Sequence, residues 1–374
     1  MYILERLVGV VLYCLVLLIC LVALSVSKKS KVILFIYSMA LSVMAYFYVP
    51  SKSADLYRIF GMMEYYVSFP FNEILDLMST YETPLALLYY YFIGKTGLLN
   101  LLPALTALIY YGNIFSVISK VQEKYKLNGY STAIIVLFVM SFGQYIQVIS
   151  GIRTMLAFSI IAKCVYQEFF EQKPLIFNFW KYIIAMLFHQ AAIVVVVTRI
   201  LYELFLFNTG KSRSTTVKVG GILIIVFLGI RYGNRLFNTV LLSATHYLTS
   251  NVYFFFWEFL LTFIHIILII ILMHRYKKVL KSESSTFHIY RYVSLMLIID
   301  LIFMFEYNTF QRFAVMISML VIPILGKIFK HIQDNNTMRF SRNTTTIVII
   351  FSIIILAIAC LRGNLSALKF FQFI

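Results

Sequence analysis

Apolar residues in this chain come in long blocks separated by short polar breaks, from residue 7 to residue 361. Most blocks, wound as helices rising 1.5 Å per residue, are long enough to cross ~30 Å of hydrocarbon. The pattern predicts spans over 7–26, 32–49, 98–118, 130–149, 152–170, 217–230, 252–273, 292–305, 313–329 and 346–361. Strands of a membrane barrel would instead alternate apolar and polar positions over about ten residues. Backbone facing lipid must satisfy its own hydrogen bonds, so the expected class is all-α. The expectation is one polytopic membrane domain over 1–374, with about 10–12 transmembrane helices, some broken or re-entrant, and an external cavity. Two segments break the pattern. Residues 84–93 are apolar but short, and 182–207 is overlong and interrupted by His189, Gln190 and Arg199.

Composition sharpens this picture. Of 374 residues, 61% are apolar and 13% charged, with a mean hydropathy of +0.89. Soluble domains are about 25% charged, so a soluble globular fold is excluded. The net charge of +17 would point to nucleic acid in a soluble chain; here it reads as loop topology, because cytoplasmic loops collect Lys and Arg, and no nucleic-acid partner is expected. Cys14, Cys20, Cys164 and Cys360 lie inside apolar runs without paired spacing and read as small core residues. The first run lacks a small-residue cleavage pattern and reads as a retained span.

Charge also orients the chain. Lys28, Lys29 and Lys31 place the first loop in the cytoplasm, which puts the loop at about 50–83 outside. That loop holds Asp55, Glu64, Glu73, Asp76 and Glu82 out of 15 acids in the chain. Lys120, Lys124 and Lys126 then require a cytoplasmic loop, so 84–93 is expected to dip in without crossing. Lys211, Lys218, Arg275, Lys277, Lys281, Lys327, Lys330 and Arg339 fall inside only if 182–207 crosses an even number of times. The segment therefore reads as a broken hairpin with His189 near its turn. Non-helical backbone at membrane depth persists where it is buried in protein or lines a wet cavity.

On this map Asp55, Arg58, Glu82, Arg153, Arg231, Arg235, Glu306, Gln311 and Arg312 gather at or below the external surface, and His189 joins them. Each has a plainer reading. Arginines at helix ends snorkel to lipid phosphate, Asp55 and Arg58 at i,i+3 spacing pair with each other, Glu306 neutralises Arg312, Glu82 solvates its loop, and His189 packs. Asp300 and Glu258 lie within spans, where a charge needs a partner. Against these, Arg153 and Arg312 open apolar helices, where an anion also meets the helix N-terminus. A cavity rich in arginine suits a lipid-linked diphosphate, because guanidinium binds phosphate oxygens in a fork and stays charged. No nucleotide-binding glycine loop, Asp-x-Asp pair or HExxH is present, and neither cofactor nor metal is expected.

Several motifs resemble those of EpsG-type, Wzy-like polysaccharide polymerases. They are Asp55-Leu56-Tyr57-Arg58, Tyr81-Glu82-Thr83-Pro84-Leu85, Ser150-Gly151-Ile152-Arg153-Thr154, Leu187-Phe188-His189-Gln190-Ala191 and Gln311-Arg312-Phe313. The resemblance implies an enzyme of the bacterial cytoplasmic membrane, acting at its outer face in capsule or exopolysaccharide synthesis. Such an enzyme joins undecaprenyl-diphosphate-linked oligosaccharide repeat units without nucleotide. It implies membrane lipid as a neighbour, and flippase and chain-length regulator proteins as partners. Under it Arg153 and Arg312, followed by Arg58, Arg231 and Arg235, hold the diphosphate. Asp55, then His189, then Glu306 are the candidate bases for the attacking hydroxyl, and Glu82 and Gln311 contact substrate. Two other classes share some of these features. A flippase or permease also has broken helices and intramembrane charge, and a membrane acyltransferase would use His189 as base.

Overall fold

The computed structural model describes the chain apart from residues 1, 28, 51, 53, 143–144, 207–252, 306, 336–338, 368–371 and 374. The predicted span 217–230, with Arg231 and Arg235, and Glu306 therefore lie outside the described residues. The rest is mainly helical. In order come α1 (Tyr2–Val26), α2 (Ser30–Tyr46), α3 (Asp55–Val67), α4 (Phe71–Thr80), α5 (Pro84–Lys95), α6 (Leu101–Tyr125), α7 (Gly129–Phe142), α8 (Tyr145–Ser150) and α9 (Ile152–Phe170). There follow α10 (Leu175–Phe188), α11 (Ala191–Leu201) with a π turn over Tyr202–Leu206, α12 (Tyr253–Arg275), α13 (Lys277–Lys281), α14 (Ser284–Ile302), α15 (Tyr307–Leu320), α16 (Ile322–Asp334) and α17 (Arg339–Ala367). Strand β1 (Tyr48–Val49) pairs antiparallel with β2 (Gln372–Phe373). This is an all-α polytopic membrane fold. Among the described residues four helices have the length and apolarity of a membrane span, within α1, α6, α14 and α17. A fifth forms if α15 and α16, bent by 46°, count as one. Pro323 explains the bend, since it withholds an N–H from the helix ladder and crowds the carbonyl four residues back.

The basic loops meet at one end of the bundle. Lys120 pairs with Glu171, Lys124 with Glu283 at 2.8 Å, and Lys327 with Glu283 at 3.1 Å. Partial desolvation opposes the charge on Glu283, yet hydrogen bonds from Lys124, Ser285 and Lys327 hold its carboxyl down at about 2. Asn128 N–H donates to Gln333 Oε1 at 3.0 Å, and Ser30 bonds Gln122. The loops after α6, α9 and α13, with the ends of α2 and α16, thus share this basic end.

The chain from α10 to α11 leaves the basic end and returns to it. Tyr182 on α10 donates to Glu168 at 2.8 Å, and Arg199 on α11 pairs with the same carboxylate at 2.8 Å. Between them the helix breaks at His189 and Gln190. Arg199 also holds Glu203 at 2.9 Å, one turn on, and stacks over Phe169 at 4.5 Å. Tyr202 donates to the His288 carbonyl at 3.0 Å, tying the hairpin base to α14. The expected start at 182 is too late, because α10 begins behind Pro174, a favoured helix-initiating position.

At the opposite end α3, α4 and α5 form a cap with its own small core of Ile74, Leu87 and Tyr91. The middle and the C-terminal end of α5 are both held here. Tyr89 donates to the Leu102 carbonyl in the first turn of α6 at 3.4 Å, and Lys95 Nζ donates to the Val67 carbonyl at 2.9 Å.

The Arg199 triad is almost wholly buried, with side-chain exposures of 3% for Arg199 and 2% for Glu168. Removing one partner of such a group leaves a buried charge uncompensated, which costs roughly 3–5 kcal/mol. Arg199→Met should lower thermal stability in detergent by that order, and the double variant Arg199→Met/Glu168→Gln should recover part of the loss. Equal midpoints for wild type and Arg199→Met would contradict the pairing.

Candidate anion site at the non-basic end

The site assembles from three helix starts and one helix break. Pro84 denies Thr83 the helical region, leaving it at φ −134°, ψ 71°, and in the loop before α5 Thr83 is buried while Glu82 stays exposed. Ser150 and Gly151 separate α8 from α9. A Cβ at Gly151 would lie 2.7 Å from the Gln147 carbonyl oxygen, so the tight junction needs glycine. This junction sets Arg153 in the first turn of α9, where its guanidinium donates to Thr83 Oγ1 at 3.4 Å.

His189 closes α10 in an extended conformation, φ −155°, ψ 130°, and then caps the next helix. The Ala191 N–H donates to His189 Nδ1 at 3.1 Å, satisfying one of the orphan amides at the start of α11. That bond makes Nδ1 an acceptor. The neutral ring therefore carries its proton on Nε2 and presents a donor. Next to it, Gln190 Nε2 donates to Glu82 Oε2 at 3.2 Å. Arg153 and Arg312 are the two charged groups acting electrostatically on the His189 ring, so both guanidiniums share its neighbourhood, although 159 residues separate them in the chain, from 153 to 312.

Asp55 and Arg58 sit on the exposed face of α3 and pair with each other, as their spacing predicts. Asp55 and Arg153 both act on the phenol of Tyr90, whose buried hydroxyl has no partner among the described residues. Asp55 therefore borders the site and Arg58 stands outside it in solvent, 71% exposed. Gln311 neighbours Arg312 but lines a separate cleft beside His265.

Some site residues were not legible in the sequence. Thr83 and Gln190 are ordinary polar residues whose meaning depends on distant partners. Tyr90 stands in the run Tyr89-Tyr90-Tyr91, which reads as an interface belt. The plainer readings are not all displaced, since Asp55 and Arg58 do neutralise each other. Among the described residues no cluster of His, Cys, Asp and Glu is arranged to hold a metal ion. What the arrangement offers is two guanidiniums and an imidazole N–H around one locus, the donor set for an oxyanion.

At this point comparison with known proteins identifies the class. The chain belongs to the EpsG family, whose model matches residues 57–373. The match includes Glu82, Arg153, His189, Gln311 and Arg312 and begins two residues after Asp55. No curated protein and no solved structure matches the chain.

If these groups bind an oxyanion, the full-length protein in lipid nanodiscs should bind inorganic pyrophosphate in a salt-sensitive manner. Arg153→Gln or Arg312→Gln should each weaken that binding by about tenfold or more, a loss expected for one charge-assisted pair. Isothermal titration checks this, and variants that bind like wild type would contradict a shared site.

Proposed function

We propose that this EpsG-family protein is a polysaccharide polymerase, joining lipid-diphosphate-linked oligosaccharide repeat units at the outer face of a bacterial cytoplasmic membrane. One observation carries the reading: Arg153, Arg312 and His189 converge at the end of the bundle away from the basic loops. Positive loops mark the cytoplasmic side, so the opposite end faces outward, where no nucleotide drives chemistry. The energy for bond formation then resides in the lipid–diphosphate glycosyl bond.

In the proposed reaction a hydroxyl of one repeat unit attacks the anomeric carbon of the other. The glycosyl–oxygen bond breaks and lipid diphosphate leaves with the bonding electrons. The guanidiniums of Arg153 and Arg312 take up the developing charge, and preorganised cations act strongly in a site of low dielectric. His189 contributes its Nε2 proton as a hydrogen bond to the same oxygens, because its Nδ1 is occupied and burial, reinforced by two flanking cations, opposes its protonation. This assigns His189 to leaving-group stabilisation, not to proton abstraction. Asp55 at the rim takes the hydroxyl proton, and Glu82, anchored by Gln190, orients the sugar. The partners that follow are the lipid-linked glycan and membrane lipid, with flippase and chain-length regulator proteins acting before and after it.

Arg153→Lys keeps the charge but loses the fork, so polymer should fall by at least about tenfold at normal protein level. Purified wild type given a lipid-linked repeat unit should produce a polymer ladder without nucleotide or added metal. Full polymer from Arg153→Lys cells, read by gel, would refute the assigned role. Accumulation of repeat units on the cytoplasmic leaflet after deletion would point to a flippase instead.

A further inference from the structure

Beside the cationic site, one turn of α15 faces a second polar feature. A cleft between α7, α12, α15 and α17 is lined by Ser141, Phe142, Leu261, Thr262, His265 and Gln311. Most surroundings at this depth are apolar, yet four of these residues carry hydrogen-bonding groups. Ser141 is internally satisfied, its hydroxyl donating to the Phe138 carbonyl at 2.7 Å. His265 is not. Its ring is buried, 4% exposed; Nδ1 lies 2.9 Å from the Leu261 carbonyl, and Nε2 has no partner among the described residues.

The carbonyl can only accept, so Nδ1 holds the proton and Nε2 is a bare lone pair on a ring that lines the cleft. This is the opposite tautomer to His189. A buried acceptor left unsatisfied is destabilising, and the cleft is narrow, sized for a hydroxyl-bearing arm and not for a whole sugar ring. Gln311, one residue before Arg312, reaches the same space and connects it to the diphosphate locus through a single helical turn.

We propose that this cleft is a hydroxyl-recognition subsite of the polymerase. A hydroxyl of the bound glycan donates to His265 Nε2 and is held on its other side by the Gln311 amide. His265 is a binding and positioning residue for the glycan and is distinct from the cationic centre, since among the described residues no charged group acts on its ring. The inference deepens the polymerase reading and rests on it. Sites built to bond a hydroxyl discriminate strongly against sugars lacking it, because the polar groups are then left unpaired.

The test uses full-length protein in nanodiscs and, as probe, the lipid-linked glycan extracted from a strain deleted for this chain. Polymer formation gives KM and kcat, and native mass spectrometry gives binding of the same extract. His265→Phe and Gln311→Leu should each raise KM by about tenfold, the loss of one hydrogen bond to a neutral hydroxyl, with kcat falling far less. His265→Gln restores an acceptor and should recover most of the affinity. If His265→Phe does not elute as a monodisperse species, Gln311→Leu carries the test at its half-buried position. Unchanged KM in these variants means that the cleft holds only water, and overturns the proposal; so does a loss confined to kcat. A wild type that binds the extract without polymerising it defeats the polymerase reading alone, and the same tenfold criterion applied to binding then decides the subsite. A wild type that neither binds nor polymerises overturns both.

Discussion

An arginine held between two glutamates at membrane depth governs where the site forms. Arg199 draws α11 back to Glu168 near the end of α9 and to Glu203 one turn on. The helices α10 and α11 therefore run out and back as a hairpin, and the break between them reaches the far end of α9, where Arg153 begins it. Charged groups in a bilayer are tolerated when paired and turned inward, and this triad meets both conditions. It shares with Asn178 and Lys181 of α10, which bond Glu168 and Gln167 of α9, the task of fixing the level of His189 against Arg153 and the Glu82 loop. The cationic locus is thus set by a charge network at the other end of the same hairpin.

Two histidines illustrate how backbone geometry assigns chemistry. In His189 an amide of the next helix occupies Nδ1, which leaves a donor beside two guanidiniums. In His265 a carbonyl of its own helix faces Nδ1, which leaves an acceptor beside a cleft lined by Ser141, Thr262 and Gln311. The same side chain serves opposite hydrogen-bonding roles at a helix break and within a helix. Neither role follows from the residue type; both follow from which backbone group is within reach.

Much of the architecture was readable from the chain. The span 152–170 coincides with α9 because Ser150 and Gly151 mark its start and the polar run Glu171–Lys173 its end. The inward return of 182–207 was readable from loop charge, since lysines and arginines at one end leave few arrangements. What escaped was set by contacts distant in sequence. Glu168 lies 31 residues from Arg199, and no local pattern marks them as partners. Helix α14 begins at Ser284, eight residues before the expected 292, because Glu283 and its lysine partners stabilise a polar first turn that hydropathy alone reads as loop. The break between α15 and α16 was hidden inside one apolar run, where Pro323 alone signals it. Within the site, the Arg153, His189 and Arg312 motifs were found as separate helix starts and breaks; their partners Thr83 and Gln190 needed the fold.

The central claim is that the hairpin tip meets the Glu82 loop on the outer side of the membrane. The most direct measurement places cysteines at both positions, Glu82→Cys and Gln190→Cys, in cells expressing the full chain lacking its four native cysteines. A membrane-impermeant bis-maleimide is then applied to intact cells. The account predicts an intramolecular cross-link without permeabilisation. A link that forms only after the cytoplasm is opened, or labelling of both cysteines with no link between them, would contradict it.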